Sequence, residues 1–110
     1  NERFLASEII REKVFEFYGE EIPYSTTVEI EEFKEREAGK DFIKAIIYVE
    51  RESQKGIIIG KDGKAIKHVG LIAREEIEKE IGRKVYLELL VKVIEKWRKD
   101  KSKLYKLGYK

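Results

Sequence analysis

A chain of 110 residues suits one domain with a single modest core, and with no cysteine it can form no disulfide, thiolate metal site or cysteine nucleophile. The sequence has no secretory signal and no apolar run long enough to span a bilayer, which together point to a soluble, intracellular chain. Its net charge of +2 hides an asymmetry: −5 over residues 1–40, +1 over 41–83 and +6 over 84–110. That distribution argues against uniform coating of a polyanion and for one local basic surface. Lys, Glu, Arg and Ile are plentiful while Asn and Gln each occur once, a balance like that of proteins from hot environments.

Arg3 to Tyr18 predicts a helix, with Leu5, Ile9, Val14 and Phe17 recurring at helical spacing as a core-facing stripe. Gly19 ends it and Pro23 prevents its resumption. Thr26 to Phe33 alternates and is β-branched, which predicts a strand. Glu35 to Lys40, containing Gly39, is a hairpin connection to a second strand, Phe42 to Glu50. Ile43, Ala45, Ile47 and Val49 share one face of that strand; Phe42, Lys44, Ile46 and Tyr48 share the other. Arg51 to Lys55 reads as a polar connection.

The most informative stretch follows: Ile57-Ile58-Ile59-Gly60-Lys61-Asp62-Gly63-Lys64-Ala65-Ile66. Glycine at both ends of the loop lets another backbone approach and permits dihedrals that other residues resist. Beyond Gly63 the first N–H groups of a helix lack intrahelical acceptors and form a partial positive end that suits a phosphate. Lys61, Lys64 and Lys67 add mobile charge, opposed locally only by Asp62. The helix runs towards Ile81, divided at Gly70 into a short first and a longer second segment, the latter with Leu71, Ile72, Ile77 and Ile81 as its stripe. Lys84 to Ile94 is the clearest strand, with Val85, Leu87, Leu89, Val91 and Val93 on one side. Lys96 to Lys99 closes it, and Ser102 to Leu107 predicts a last short helix ending at Gly108.

The resulting order is α-β-β-α-α-β, an α+β fold. A crossover between the last two strands makes them parallel neighbours. The expected sheet has three mixed strands, Phe42–Glu50 central, with helices packed on one face.

Ile58-Ile59-Gly60-Lys61-Asp62-Gly63-Lys64-Ala65-Ile66 resembles the core of a KH domain, the single-strand RNA-binding module whose GxxG loop clamps about four nucleotides. A lone GxxG is weak; with the apolar run, the lysines and Ile66 it is specific. The element order is that of the type II KH arrangement, as the resemblance implies, for one domain spanning residues 1–110 with its first helix at 3–18 and its loop at 60–63. Arg11-Glu12-Lys13, Gly19-Glu20-Glu21-Ile22-Pro23-Tyr24-Ser25, Gly82 to Leu89, Val91-Lys92-Val93, Trp97-Arg98 and Leu107-Gly108-Tyr109 are similar to the C-terminal domain of the Era GTPases.

That resemblance implies binding to single-stranded RNA near the 3′ end of small-subunit ribosomal RNA, and a role in assembling the small subunit in the cytoplasm. GTP and Mg²⁺ are implied only for an upstream GTPase domain. This sequence has no G-x-x-x-x-G-K-[ST]: Gly56 to Asp62 has the wrong spacing and ends on an Asp where the Mg²⁺-binding hydroxyl should stand. Asp62 occupies a position where the family often carries glycine; it is placed to cap the helix, and its charge opposes a nearby phosphate.

The expected RNA contacts divide into three groups. Backbone amides from Gly60 to Lys64, with the ammonium groups of Lys61, Lys64 and Lys67, hold phosphates, which position but do not specify. Ile57, Ile59 and Ile66 form an apolar floor for unstacked bases, although some of these isoleucines serve the core instead. Polar groups around Leu87, Glu88 and Leu89 read Watson–Crick edges.

His68 has no second ligand or nucleophile beside it and reads as a surface or groove-edge residue. Glu29, Glu31 and Glu32 read as solvating an edge strand rather than holding a metal, and Trp97 and Tyr105 as packing for the tail in preference to stacking on RNA. Lys96 to Lys103 either extend the RNA surface, approach acidic membrane lipids at the inner face of the cell membrane, or form a solvated tail. A monomer is expected, partnered by RNA and the GTPase domain. The alternative is a protein-interaction or regulatory domain using the acidic first helix and an exposed sheet edge. Catalysis by this chain is the weakest reading, since no acid–base pair or nucleophile can be assembled.

Overall fold

A computed structural model describes residues 1–94. Helix α1 spans Glu2–Tyr18; the Asn1 side chain caps it by accepting from the Phe4 N–H at 2.8 Å, and Glu2 sits in its first turn, where the helix dipole favours negative charge. The stripe it buries is Ala6, Ile9, Ile10, Val14 and Tyr18. Phe17, expected in that stripe, is 46% exposed and instead lies edge-on to Tyr18. The stripe is rotated by one residue because Tyr18, not Phe17, reaches inward. Gly19, at φ +60°, terminates the helix, and a 3-10 turn at Gly19–Glu21 leads through Pro23 to the sheet.

The sheet has the order β1-β2-β3. Strand β1 (Thr27–Lys34) pairs antiparallel with β2 (Asp41–Val49), with a bulge between Ile30 and Glu32. Strand β3 (Val85–Val93) pairs parallel with β2, Ile43 opposite Leu87 and Ala45 opposite Leu89. The mixed three-stranded sheet with β2 at its centre is therefore as expected. Ile43, Ala45, Ile47 and Val49 are buried on the helix-covered face, and Ile46 and Tyr48 are buried on the other. Fully burying each isoleucine contributes about 2 kcal/mol, so β2 is the axis of the core.

Two helices make the crossover, but their bounds differ from expectation. Helix α2 is Glu52–Ile59, so Arg51 to Lys55, expected as a polar connection, is largely helical, and the isoleucine run is the last turn of that helix. The Gln54 side chain folds back to accept from the N–H groups of Glu50 (3.1 Å) and Arg51 (3.0 Å), satisfying donors at the helix entrance. Ile58 is fully buried, and that anchor overrides the β-preference of three consecutive isoleucines. Helix α3 is one unbroken element, Lys64–Ile81. Gly70 does not divide it: Val69, Ala73 and Ile77 are buried in continuous register on either side, which outweighs the roughly 1 kcal/mol that a mid-helix glycine costs. Leu71 is not part of that stripe but 47% exposed. The expected helix at Ser102 to Leu107, and the roles considered for Lys96 to Lys103, Trp97 and Tyr105, lie outside the described residues.

One end of the molecule is tied by Arg83. Its Nη2 donates to Glu2 at 2.7 Å and its Nε to Asp41 at 2.7 Å, with Glu35 a further 3.6 Å partner. Asp41 is 1% exposed and also accepts from the Arg36 N–H at 3.1 Å. Burial alone would raise its pKa, but the Arg83 and Arg36 hydrogen bonds outweigh burial and hold it below the usual carboxylate range. This cluster joins the start of α1, the β1–β2 hairpin and the start of β3.

Candidate nucleic-acid interface

Residues 60–63 join α2 to α3 through a 3-10 turn at Lys61–Gly63. Gly60 adopts φ +74° and Gly63 φ +72°, and Asp62 between them is, among the described residues, the one non-glycine at positive φ, +56°. A Cβ on Gly60 would stand 2.6 Å from the Ala65 Cβ, so the chain can make this approach only with glycine. Asp62 tolerates the left-handed conformation better than most residues, yet at a cost that glycine would not incur. That conformation gives the physical reason glycine suits this position. It also overturns the capping reading: the N-cap of α3 is Gly63, and no side chain caps the helix.

The first turn of α3 thus has no side-chain cap and no acidic residue to compensate its dipole, although the Lys64 N–H donates to the Lys61 carbonyl within the 3-10 turn. Lys61, Lys64 and Lys67 are exposed around it. None of the three forms an ion pair among the described residues, a state they share with other exposed lysines such as Lys79 and Lys92; what sets them apart is their clustering at one helix start. The loop is held from behind: the buried Tyr18 hydroxyl donates to the Ile58 carbonyl two residues before Gly60. Burial pushes that phenol up to about 12, so it remains a donor across the physiological range.

Next to the loop, α3 and β3 enclose a groove of about 330 Å³ lined by Ile66, Lys67, Gly70, Leu71, Arg74, Leu87 and Leu89. The structure therefore brings Ile66, Lys67, Leu87 and Leu89 together. Ile57 is exposed on α2 and Ile59 packs partly buried against the core, while Glu88 lies on the opposite side of β3 from its leucine neighbours. Sequence reasoning missed Gly70, Leu71 and Arg74. Gly70 follows Ile66 and Leu71 follows Lys67 by four residues, and Arg74 follows Gly70 by four and Leu71 by three, which marks one helix face, a signal masked by dividing the helix at Gly70. His68 is exposed and contacts Phe17, with ring centroids 5.0 Å apart, away from the groove.

The carboxylates of β1 are separately occupied. Glu31 faces Lys44 at 3.9 Å and Glu32 faces Lys34 at 3.3 Å. Burial first, and then the charge of Glu31, raise the Glu29 pKa. Among the described residues no group of three metal-ligating side chains is assembled, and no helix is long and apolar enough to cross a membrane.

A family model described as "KH domain" matches residues 21–98. The chain is 58% identical over 108 residues to GTPase Era of Thermotoga maritima, covering 97% of this chain and 36% of that protein. A solved structure of an Aquifex aeolicus Era variant bound to GDP and AlF₄⁻ superposes with a TM-score of 0.85 at 46% identity, over 97% of this chain and 36% of that one. So does Era in complex with MgGDPNP and nucleotides 1506–1542 of 16S ribosomal RNA, at the same TM-score, identity and coverage. The chain spans about a third of the length of these relatives, and residues 21–98 of it match a KH domain. With this sheet order, this crossover and this glycine-bounded loop, the chain belongs to the KH-domain family, in the form that Era GTPases carry.

Proposed function

We propose that this domain binds a single-stranded RNA segment, its phosphates against the Gly60–Gly63 loop and its bases in the groove between α3 and β3. The observation that carries the reading is a cluster of three exposed lysines, Lys61, Lys64 and Lys67, without ion partners among the described residues, around the start of an 18-residue helix that has no side-chain cap. Cations without an ion partner at such a place need break no protein ion pair when phosphates arrive, and their contacts release counterions condensed on the nucleic acid. Ile66, Leu87 and Leu89 offer apolar area to unstacked bases. The Era complex with 16S ribosomal RNA favours the 3′ end of small-subunit ribosomal RNA as target, and small-subunit assembly as setting.

Residues 1–110 act as one monomeric binding module in the cytoplasm. GTP and Mg²⁺ are handled by a companion GTPase domain, and any contact with the inner membrane face is peripheral.

Lys61→Asp tests the reading by fluorescence anisotropy with a single-stranded oligoribonucleotide. Charge reversal weakens binding by at least about tenfold and flattens its salt dependence, with the melting temperature unchanged. Undiminished binding at physiological salt would remove the loop from the site. Affinity indifferent to salt would favour a protein-interaction surface instead.

A further inference from the structure

Among the described residues, the outer edge of β1 is left open. β1 is the first strand in the order β1-β2-β3, and on its outer side the Arg3 Nη2 donates to the Ile30 carbonyl at 2.7 Å. Since that carbonyl faces away from β2, alternation along the strand turns the Ile30 N–H and the Val28 N–H and C=O outward as well. Those three groups have no hydrogen-bond partner among the described residues. We propose that this edge accepts an extended peptide as a fourth strand, with basic and apolar residues alternating along it.

The space for such a strand is present. A trough of about 370 Å³ runs between β1 and the first two turns of α1, lined by Arg3, Phe4 and Ser7 on the helix and by Val28, Glu29 and Ile30 on the strand. Phe4 is 63% exposed, and Val28 is only partly buried against the core. Every second side chain of an added strand falls on this helix-covered side, where apolar residues suit Phe4 and Val28. The side chains between them fall on the other face of the sheet. Glu29 lies there, opposite Ile46 in register, and Glu31 reaches Lys44 on the same face. Glu29 itself forms no ion pair among the described residues, and burial followed by the charge of Glu31 raises its pKa. A lysine or arginine on the incoming strand supplies the missing positive charge across the new pair. The bulge between Ile30 and Glu32 breaks the register beyond Ile30, so the usable edge is short.

A second copy of this chain suits the edge poorly, because two-fold pairing of β1 with itself would bring Glu29 and Glu31 close to their own copies. The competing account is that these carboxylates only keep the edge solvated, and it predicts no peptide binding.

The test titrates the 110-residue chain with an acetylated, amidated heptapeptide of alternating lysine and valine, followed by amide chemical shifts. Shifts are expected along Thr27 to Ile30 and Arg3 to Ser7, with Gly60 to Gly63 unmoved. The glutamate–valine counterpart binds at least about tenfold more weakly. Val28→Pro, which an edge strand tolerates but which removes an outward N–H, lowers lysine–valine affinity by at least about tenfold. Glu29→Lys reverses the preference between the two peptides. Both variants are checked for folding by circular dichroism, and both keep native affinity for a single-stranded oligoribonucleotide, so this proposal and the loop reading fail separately. No shifts at about 1 mM peptide, equal affinities for the two peptides, or binding that survives either substitution in a folded chain overturns the proposal. Self-association that shifts Thr27 to Ile30 as protein concentration rises assigns the edge to a second copy and overturns it too.

Discussion

The two ends of this domain treat charge in opposite ways. Around Arg83, two carboxylates lie at 2.7 Å and a third at 3.6 Å, and the chain segments they join are far apart in sequence. Around Gly60 to Gly63, lysines stand exposed without ion partners among the described residues, on a backbone with three residues at positive φ. Charges satisfied within the protein specify its structure; on the proposed reading, the lysines without ion partners, next to a helix start with no side-chain cap, are held for phosphates. That reading separates what keeps the chain folded from what it offers to a ligand.

Substitutions can break that separation or sharpen it. The largest effect falls on Gly60→Ala, which should damage both functions at once. Its Cβ meets the Ala65 Cβ at 2.6 Å and its φ is +74°, which together cost about 3 kcal/mol of stability. Thermal melting and RNA anisotropy should both fall; a variant as stable as the native chain would show that the loop geometry is not required.

Asp41→Asn should affect only the closed end, costing about 2 kcal/mol through weakened hydrogen bonds to a charged partner, or roughly ten degrees in melting temperature, with RNA affinity unchanged. The same group sets the acid response. Its folded pKa lies below its unfolded value, so its contribution is complete above the unfolded pKa of about 4 and is lost as pH falls through the folded one. Native and Asp41→Asn chains should therefore converge in stability on acidification, as followed by denaturant unfolding at stepped pH.

Gly70→Ala turns the comparison round. It should stabilise α3 by about 1 kcal/mol, since the added methyl meets only the Leu89 Cδ1 at an ordinary 3.6 Å. The same methyl fills part of the groove floor, so RNA binding should weaken a few-fold by anisotropy. A gain in both properties would remove the groove from the site.

The smallest effect belongs to Asp62→Gly. Removing a carboxylate beside the phosphate path, at a position already at φ +56°, should tighten binding by about threefold at low salt and less at high salt. Stability should move by less than about 0.5 kcal/mol.

How legible these regions were follows from the range of the interactions that make them. The strands were readable because Ile43 to Val49 and Val85 to Val93 carry a period-two pattern that burial on one face requires, and the parallel pairing followed from the crossover. Helix α2 was not, because Ile57-Ile58-Ile59 prefers extended backbone locally, and only the burial of Ile58 and the return of Gln54 reverse that preference. Gly70 looked like a break because propensity is local, whereas the Val69–Ala73–Ile77 stripe that overrules it depends on the sheet beneath. The loop glycines and lysines were plain from their spacing. The groove was only half visible: Ile66 and Leu87 were expected there, but Leu71 and Arg74 belong to it through packing of α3 against β3 that no local pattern encodes. The Arg83 cluster was not foreseen at all, since its members are separated by up to 81 positions in the chain.

The most direct test of the account is an amide chemical-shift titration of the whole chain with a single-stranded oligoribonucleotide, followed at both ends of the molecule. The account predicts shifts that concentrate on Gly60 through Gly70 and along Leu87 to Leu89, with the Glu2, Asp41 and Arg83 amides unmoved. Shifts centred on the Arg83 end or on the β1 edge, sparing Gly60 to Ile66, would contradict it.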